Sequence, residues 1–148
     1  MKHWIMAILL LTALTGTAQA EESPSGKGNI RVVVNNLRNT DGFVGVALFD
    51  ASKGFPDKPD RALVGKRISA GDHGEVVFAD VPYGTYAVSV LHDENGNGKM
   101  DKTFIGIPKE GFGTSNNPKI RRGPPSFSES SFNLEKCDLA LKIDMNYF

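Results

Sequence analysis

The residues best suited to chemistry lie together in one nine-residue stretch, Asp93-Glu94-Asn95-Gly96-Asn97-Gly98-Lys99-Met100-Asp101. Oxygen-bearing side chains stand at its first, third, fifth and ninth positions, and Gly98 at its sixth. This is most of the D-x-[DN]-x-[DN]-G pattern of a calcium loop. Alternate residues of a tight turn can aim oxygens at one point, the glycine permits the sharp bend, and the seventh residue, Lys99, offers its backbone carbonyl. The expected ligands are therefore Asp93, Asn95, Asn97, Lys99 and Asp101, with calcium as the bound ion. The twelfth position, where a bidentate glutamate completes such a shell, is Phe104. Glu94 and Glu110 are the nearest carboxylates left to finish it. With two charged ligands, the expected affinity is that of weak extracellular sites, on the order of 10⁻⁴ to 10⁻³ M. The same residues also suit an ion-free turn, because Asn and Gly favour left-handed backbone and Asx-turns.

Catalytic patterns are scarce. The chain has no G-x-S-x-G, H-E-x-x-H or paired C-x-x-C, and Gly111-Phe112-Gly113-Thr114-Ser115 lacks the lysine of a phosphate-binding loop. His92 ends an expected strand beside Asp93, and adjacent residues of a strand point to opposite faces, so the two make a poor acid-base pair. The reading is a non-enzymatic binding or accessory module. Its rivals are a hydrolase or transferase acting on carbohydrate or peptide through Glu110 or Asp93, and a structural protein of an envelope assembly. The stretch from Ile107 to Pro125, with Phe112, Arg121 and Arg122, either faces an acidic ligand or is pinned to the domain by Phe112 and Ile107.

These residues need a scaffold, and the hydrophobic pattern supplies a β one. Short runs rich in Val, Ile, Phe and Tyr are bounded by Gly, Pro, Asn and Asp, and nothing after residue 20 sustains a helical period. Strands are expected at Asn29 to Leu37, Phe43 to Asp50, Ala62 to Ala70, Glu75 to Asp80, Thr85 to His92, Ser126 to Leu134 and Asp138 to Met145. The first two are expected to pair as a hairpin through Asn39-Thr40-Asp41-Gly42. The second is nearly continuous in apolar residues, as in a strand covered on both faces. Pro56 and Pro59 exclude a central strand from Ala51 to Asp60. About seven strands predict one all-β domain, residues 29 to 148, folded as an immunoglobulin-like or transthyretin-like sandwich. The region from Asp93 to Pro125 is longer than a compact domain usually leaves irregular.

Lys2, the apolar run from Trp4 to Leu14, and Ala18-Gln19-Ala20 together read as a signal peptide over residues 1 to 20, followed by a flexible leader over 21 to 28. Its apolar core falls well short of the ~20 residues that span a membrane, and no later run approaches that length. The expected location is periplasmic or secreted, with an exported ligand or envelope protein as partner and no transmembrane segment in the mature chain. Of the 17 basic and 17 acidic residues, the signal removes one lysine and no acid, leaving a formal charge of about minus one. Nucleic acid is therefore not an expected partner. The single cysteine, Cys137, excludes an internal disulfide. It shares strand parity with Leu139, Leu141 and Ile143, and is expected to face inward as a small apolar group.

Several blocks together resemble a known family. They are Gly45-Val46-Ala47-Leu48-Phe49, Gly54-Phe55-Pro56, Pro82-Tyr83-Gly84-Thr85-Tyr86-Ala87-Val88, His92 through Asp101, Gly106-Ile107-Pro108, Gly111 through Asn117, and Gly123-Pro124-Pro125-Ser126-Phe127. In these the chain resembles the bacterial exported family catalogued as domain of unknown function 2141. The resemblance implies export and a sandwich similar to transthyretin-like and carboxypeptidase-regulatory-like domains. It implies no activity. The family often places Asn where Thr103 stands, and Thr103 still offers a hydroxyl oxygen.

Overall fold

The computed structural model describes residues 26–72 and 74–148. The expected signal peptide and most of the expected leader lie outside the described residues, as does His73. Strand β1 (Lys27–Asn35) follows its sequence alternation, burying Ile30, Val32 and Val34 and exposing Arg31. The chain continues through β2 (Phe43–Phe49), a 3-10 turn at Pro59–Arg61, β3 (Val64–Ser69), β4 (Glu75–Pro82) and β5 (Gly84–Asp93). It ends with β6 (Gly111–Thr114), a helical turn α1 (Phe127–Ser130), β7 (Phe132–Leu134) and β8 (Asp138–Asp144).

These strands form an all-β sandwich of two sheets. One is ordered β4-β1-β8, the other β3-β2-β5-β6, with β7 paired to β5. Ile30, Val32, Phe78 and Ile143 from the first sheet join Val44, Val46, Leu48, Val88 and Leu134 from the second in one buried cluster. Each such side chain contributes about 1.5–3 kcal/mol by leaving water, and in a chain with one cysteine this burial must carry the fold. β1 and β8 run parallel. Asn29 Nδ2 donates to Asp138 Oδ1 at 3.0 Å and Asn35 Nδ2 to Asp144 Oδ1 at 3.3 Å, so an Asn–Asp pair holds the register at each end.

Several expectations are corrected. β1 and β2 do not pair: β1 lies between β4 and β8, and β2 between β3 and β5. Each strand turns an apolar face to the core, and placing them in opposite sheets sets those faces against each other. The connection between them, well beyond two residues, crosses from sheet to sheet. Ser126 to Leu134 is not one strand. Ser126 Oγ accepts from Glu129 N–H at 3.3 Å and Glu129 Oε2 accepts from Ser126 N–H at 2.8 Å. This capping box starts α1 before β7 begins. Gly111–Thr114, expected to be irregular, is a strand, bringing the total among the described residues to eight.

Cys137 is exposed, not inward-facing. β8 starts at Asp138, so Cys137 lies in the preceding bend, where strand parity has no meaning. The expected double covering of β2 holds only at its C-terminal end. There Phe49 meets the edge of the Phe55 ring with centroids 5.3 Å apart, and Phe55 meets Phe127 at 5.8 Å. At the other end Phe43 is 39% exposed.

Candidate metal loop

β5 delivers His92 and Asp93 to one end of the sandwich, where Asp93 pairs in register with Phe43 of β2. Gly42, just before β2, has φ +65°, and a Cβ there would stand 2.1 Å from the Asp93 carbonyl oxygen. Only glycine combines that backbone with so close an approach.

From this root the loop turns on its own side chains. Asp93 Oδ1 accepts from Asn97 N–H at 3.0 Å and Oδ2 from Gly98 N–H at 2.8 Å. Asn95 Oδ1 accepts from Asn97 N–H at 3.1 Å, and Asn97 Oδ1 from Lys99 N–H at 2.8 Å. Both amide groups reach the Asp101 carboxylate: Asn97 Nδ2 donates to each of its oxygens at 3.1 Å and Asn95 Nδ2 to Oδ2 at 2.5 Å. Four of the five expected ligands, Asp93, Asn95, Asn97 and Asp101, are thus linked in one ring of hydrogen bonds. Lys99 enters that ring through its N–H, with its side chain exposed. Gly96 and Gly98 take positive φ, +73° and +78°.

The donor set is hard oxygen, which suits calcium chemically. Two carboxylates and two amides can offer oxygen to a cation, the amides by turning about their last bond. Among the described residues, no three His, Cys, Asp or Glu side chains converge as a metal group, so any site here depends on the asparagines. Arg67 competes for part of the charge. Its Nη2 is 3.5 Å from Asp93 Oδ2, and its guanidinium lies 3.8 Å from the Phe43 ring centroid.

Neither spare carboxylate is free to complete the shell. Glu110, 4% exposed, accepts from Glu94 N–H through Oε1 and from Asp101 N–H through Oε2, both at 3.0 Å. It straps the loop's two ends together. The Glu94 carboxylate takes a two-pronged contact from Arg38, with Nε donating to Oε1 at 2.9 Å and Nη2 to Oε2, and also accepts from Asn39 Nδ2. The Arg38 hydrogen bonds hold the Glu94 carboxyl below its usual range, with partial burial opposing and Asn39 adding to the effect. Phe104 is fully exposed and far from closing a shell.

His92 is fully buried, with Nε2 2.9 Å from the Asp41 carbonyl and Nδ1 2.8 Å from the Tyr147 hydroxyl. The carbonyl can only accept, so Nε2 carries a proton. The Tyr147 oxygen accepts from Arg38 N–H at 3.2 Å, and in the neutral imidazole Nδ1 accepts the Tyr147 hydroxyl proton. Burial raises the Tyr147 pKa. Arg38, Asn39, Arg67 and Tyr147 were not expected at this site. Their partners are tens of residues away, and no local pattern marks such pairs.

No curated protein and no solved structure matches the chain. The family described as "uncharacterized protein conserved in bacteria (DUF2141)" matches residues 32–141, most of the two sheets and the whole loop. The chain belongs to that family.

Proposed function

We propose that this family member is an exported, non-enzymatic binding or accessory module whose Asp93 to Asp101 loop takes a calcium ion. The observation that carries this reading is the convergence of the Asn95 and Asn97 side chains on both oxygens of Asp101, beside an Asp93 carboxylate already seated on the N–H groups of Asn97 and Gly98. Asp93, Asn95, Asn97 and Asp101 would supply side-chain oxygens and Lys99 its carbonyl, with water completing the shell because Glu94 and Glu110 are engaged elsewhere. A shell finished by water, with Arg67 nearby, supports weak binding, and a periplasmic or secreted location supports an ion supply able to fill it.

The non-enzymatic part rests on how the candidate acids and bases are used. His92 spends both ring nitrogens on Tyr147 and Asp41, and Glu110 spends both oxygens on backbone N–H groups. Two surface depressions, of about 290 and 310 Å³, lie beside Leu37 and Leu139 respectively, and neither is lined by His92 or Glu110. Among the described residues no helix is long and apolar enough to cross a membrane.

Melting the protein in calcium and in chelator tests the proposal. An ion that binds only the folded state stabilises it by RT ln(1 + [L]/Kd), about 1.4–2.7 kcal/mol at 10–100 times Kd. The expected result is a Tm several degrees higher in calcium than in EDTA. Identical midpoints would leave an ion-free turn as the reading.

A further inference from the structure

Directly after the loop, residues 102–109 form a small closed hairpin that the proposed function does not use. Thr103 N–H donates to the Ile107 carbonyl at 2.8 Å, Gly106 N–H to the Thr103 carbonyl at 2.9 Å, and Ile107 N–H to Thr103 Oγ1 at 3.0 Å. Lys109 N–H donates to the Asp101 carbonyl at 2.8 Å, and Lys102 bridges to Pro108. This bonded tip holds its apolar side chains outward: Phe104 is 100% exposed, Ile105 66% and Ile107 43%. Scattered apolar residues on a surface are ordinary, whereas three within four positions on a bonded protrusion are not.

Charge around the tip is sorted. Residues 102–109 contain Lys102 and Lys109 and no acidic residue, and Lys99 lies just before them; all three lysines are exposed. The flanking acids are taken up by hydrogen bonds instead, Asp101 at the surface and Glu110 in the interior. Asp101 faces the Asn95 and Asn97 amides, and Glu110 is buried on two backbone N–H groups. An apolar point with a cationic collar complements an anionic lipid surface, where apolar side chains enter the headgroup boundary and lysines meet lipid charge. A protein groove fits less well. Stable protein interfaces bury roughly 1,200–2,000 Å², far more than three side chains on a narrow hairpin can offer.

We propose that the 102–109 hairpin is a docking tip for anionic lipid bilayers, with Phe104 and Ile105 entering the interface and Lys99, Lys102 and Lys109 contacting headgroups. The docking needs no bound cation, so it stands or falls separately from the calcium reading.

Vesicle sedimentation in EDTA tests it, using the chain from residue 21, which carries all eight strands without the apolar run at 4–14. The protein is expected to pellet with an equimolar mixture of phosphatidylcholine and phosphatidylglycerol, and to stay mostly in the supernatant with phosphatidylcholine alone. Lys102→Gln and Lys109→Gln should each lower partition about fivefold. Phe104→Ser with Ile105→Ser should lower it by at least about tenfold without moving the melting midpoint. In this chain Phe104→Trp introduces a single indole, whose emission should shift to the blue on adding the mixed vesicles. Lys136→Gln, outside the hairpin, should bind as the parent does. The proposal is overturned if the parent stays in the supernatant with both vesicle types. Undiminished binding by the Phe104/Ile105 double variant, or a loss in Lys136→Gln as large as in Lys102→Gln, overturns it equally.

Discussion

Replacing Glu110 by alanine should be among the most costly changes outside the hydrophobic core. The side chain is 4% exposed, and its two oxygens hold Glu94 N–H and Asp101 N–H, each at 3.0 Å. A hydrogen bond to a charged group contributes about 1.5–3 kcal/mol. Alanine removes two of them, but water can reach the N–H groups once the loop relaxes, which brings the expected loss to about 2–4 kcal/mol. For a domain of this size each kcal/mol moves Tm by about 3–5 °C, so the midpoint should fall by roughly 6–20 °C. Glutamine keeps the shape and one acceptor, and should lose about half as much. Urea unfolding followed by circular dichroism measures both variants, and an unchanged m-value ensures that the difference lies in stability. An alanine variant within about 0.5 kcal/mol of the parent would refute the strap, since losing two buried acceptors cannot cost so little.

Three further outcomes are expected. Gly42→Ala should destabilise by at least about 2 kcal/mol, because the position has φ +65° and its new Cβ would meet backbone oxygen; a neutral result in denaturant unfolding would mean the Asp93 root is loosely held. Glu94 contributes pH-dependent stability through its lowered pKa, fully present above the unfolded value of about 4.3 and lost as pH falls through the lower folded value. Glu94→Gln should therefore flatten the acid limb of Tm against pH below about 4.3, and an unchanged limb would contradict the Arg38 contact. Cys137→Ser should leave stability within about 0.5 kcal/mol of the parent, since the thiol is exposed; a loss above about 1.5 kcal/mol in urea would restore an inward-facing role.

What the sequence makes legible follows from how far each signal reaches. Alternation in β1 and β8 reports one buried face and locates those strands closely, while β5, whose apolar run also marks it, is buried on both faces from Tyr86 to Val90. The oxygen spacing of Asp93, Asn95, Asn97 and Asp101 is also local, and the structure brings those side chains together. Sheet partners are set by long-range packing, so the pairing of β1 with β8 across the whole domain had no local sign. Cys137 shows the limit of parity, which lapses one residue before a strand starts. Ser126 and Glu129 stand at capping-box spacing, a local sign of the helical turn that precedes β7. Arg38 with Glu94 and His92 with Tyr147 lie 56 and 55 residues apart, and no periodicity reports such contacts.

The most direct measurement is a calorimetric titration of chelator-treated protein with calcium, alongside Asp101→Ala. The parent should give a saturable heat with Kd on the order of 10⁻⁴ to 10⁻³ M, and the variant none, because it loses the carboxylate on which Asn95 and Asn97 converge. Absence of heat in the parent at several millimolar calcium, or equal heats from parent and variant, would contradict a calcium site between Asp93 and Asp101.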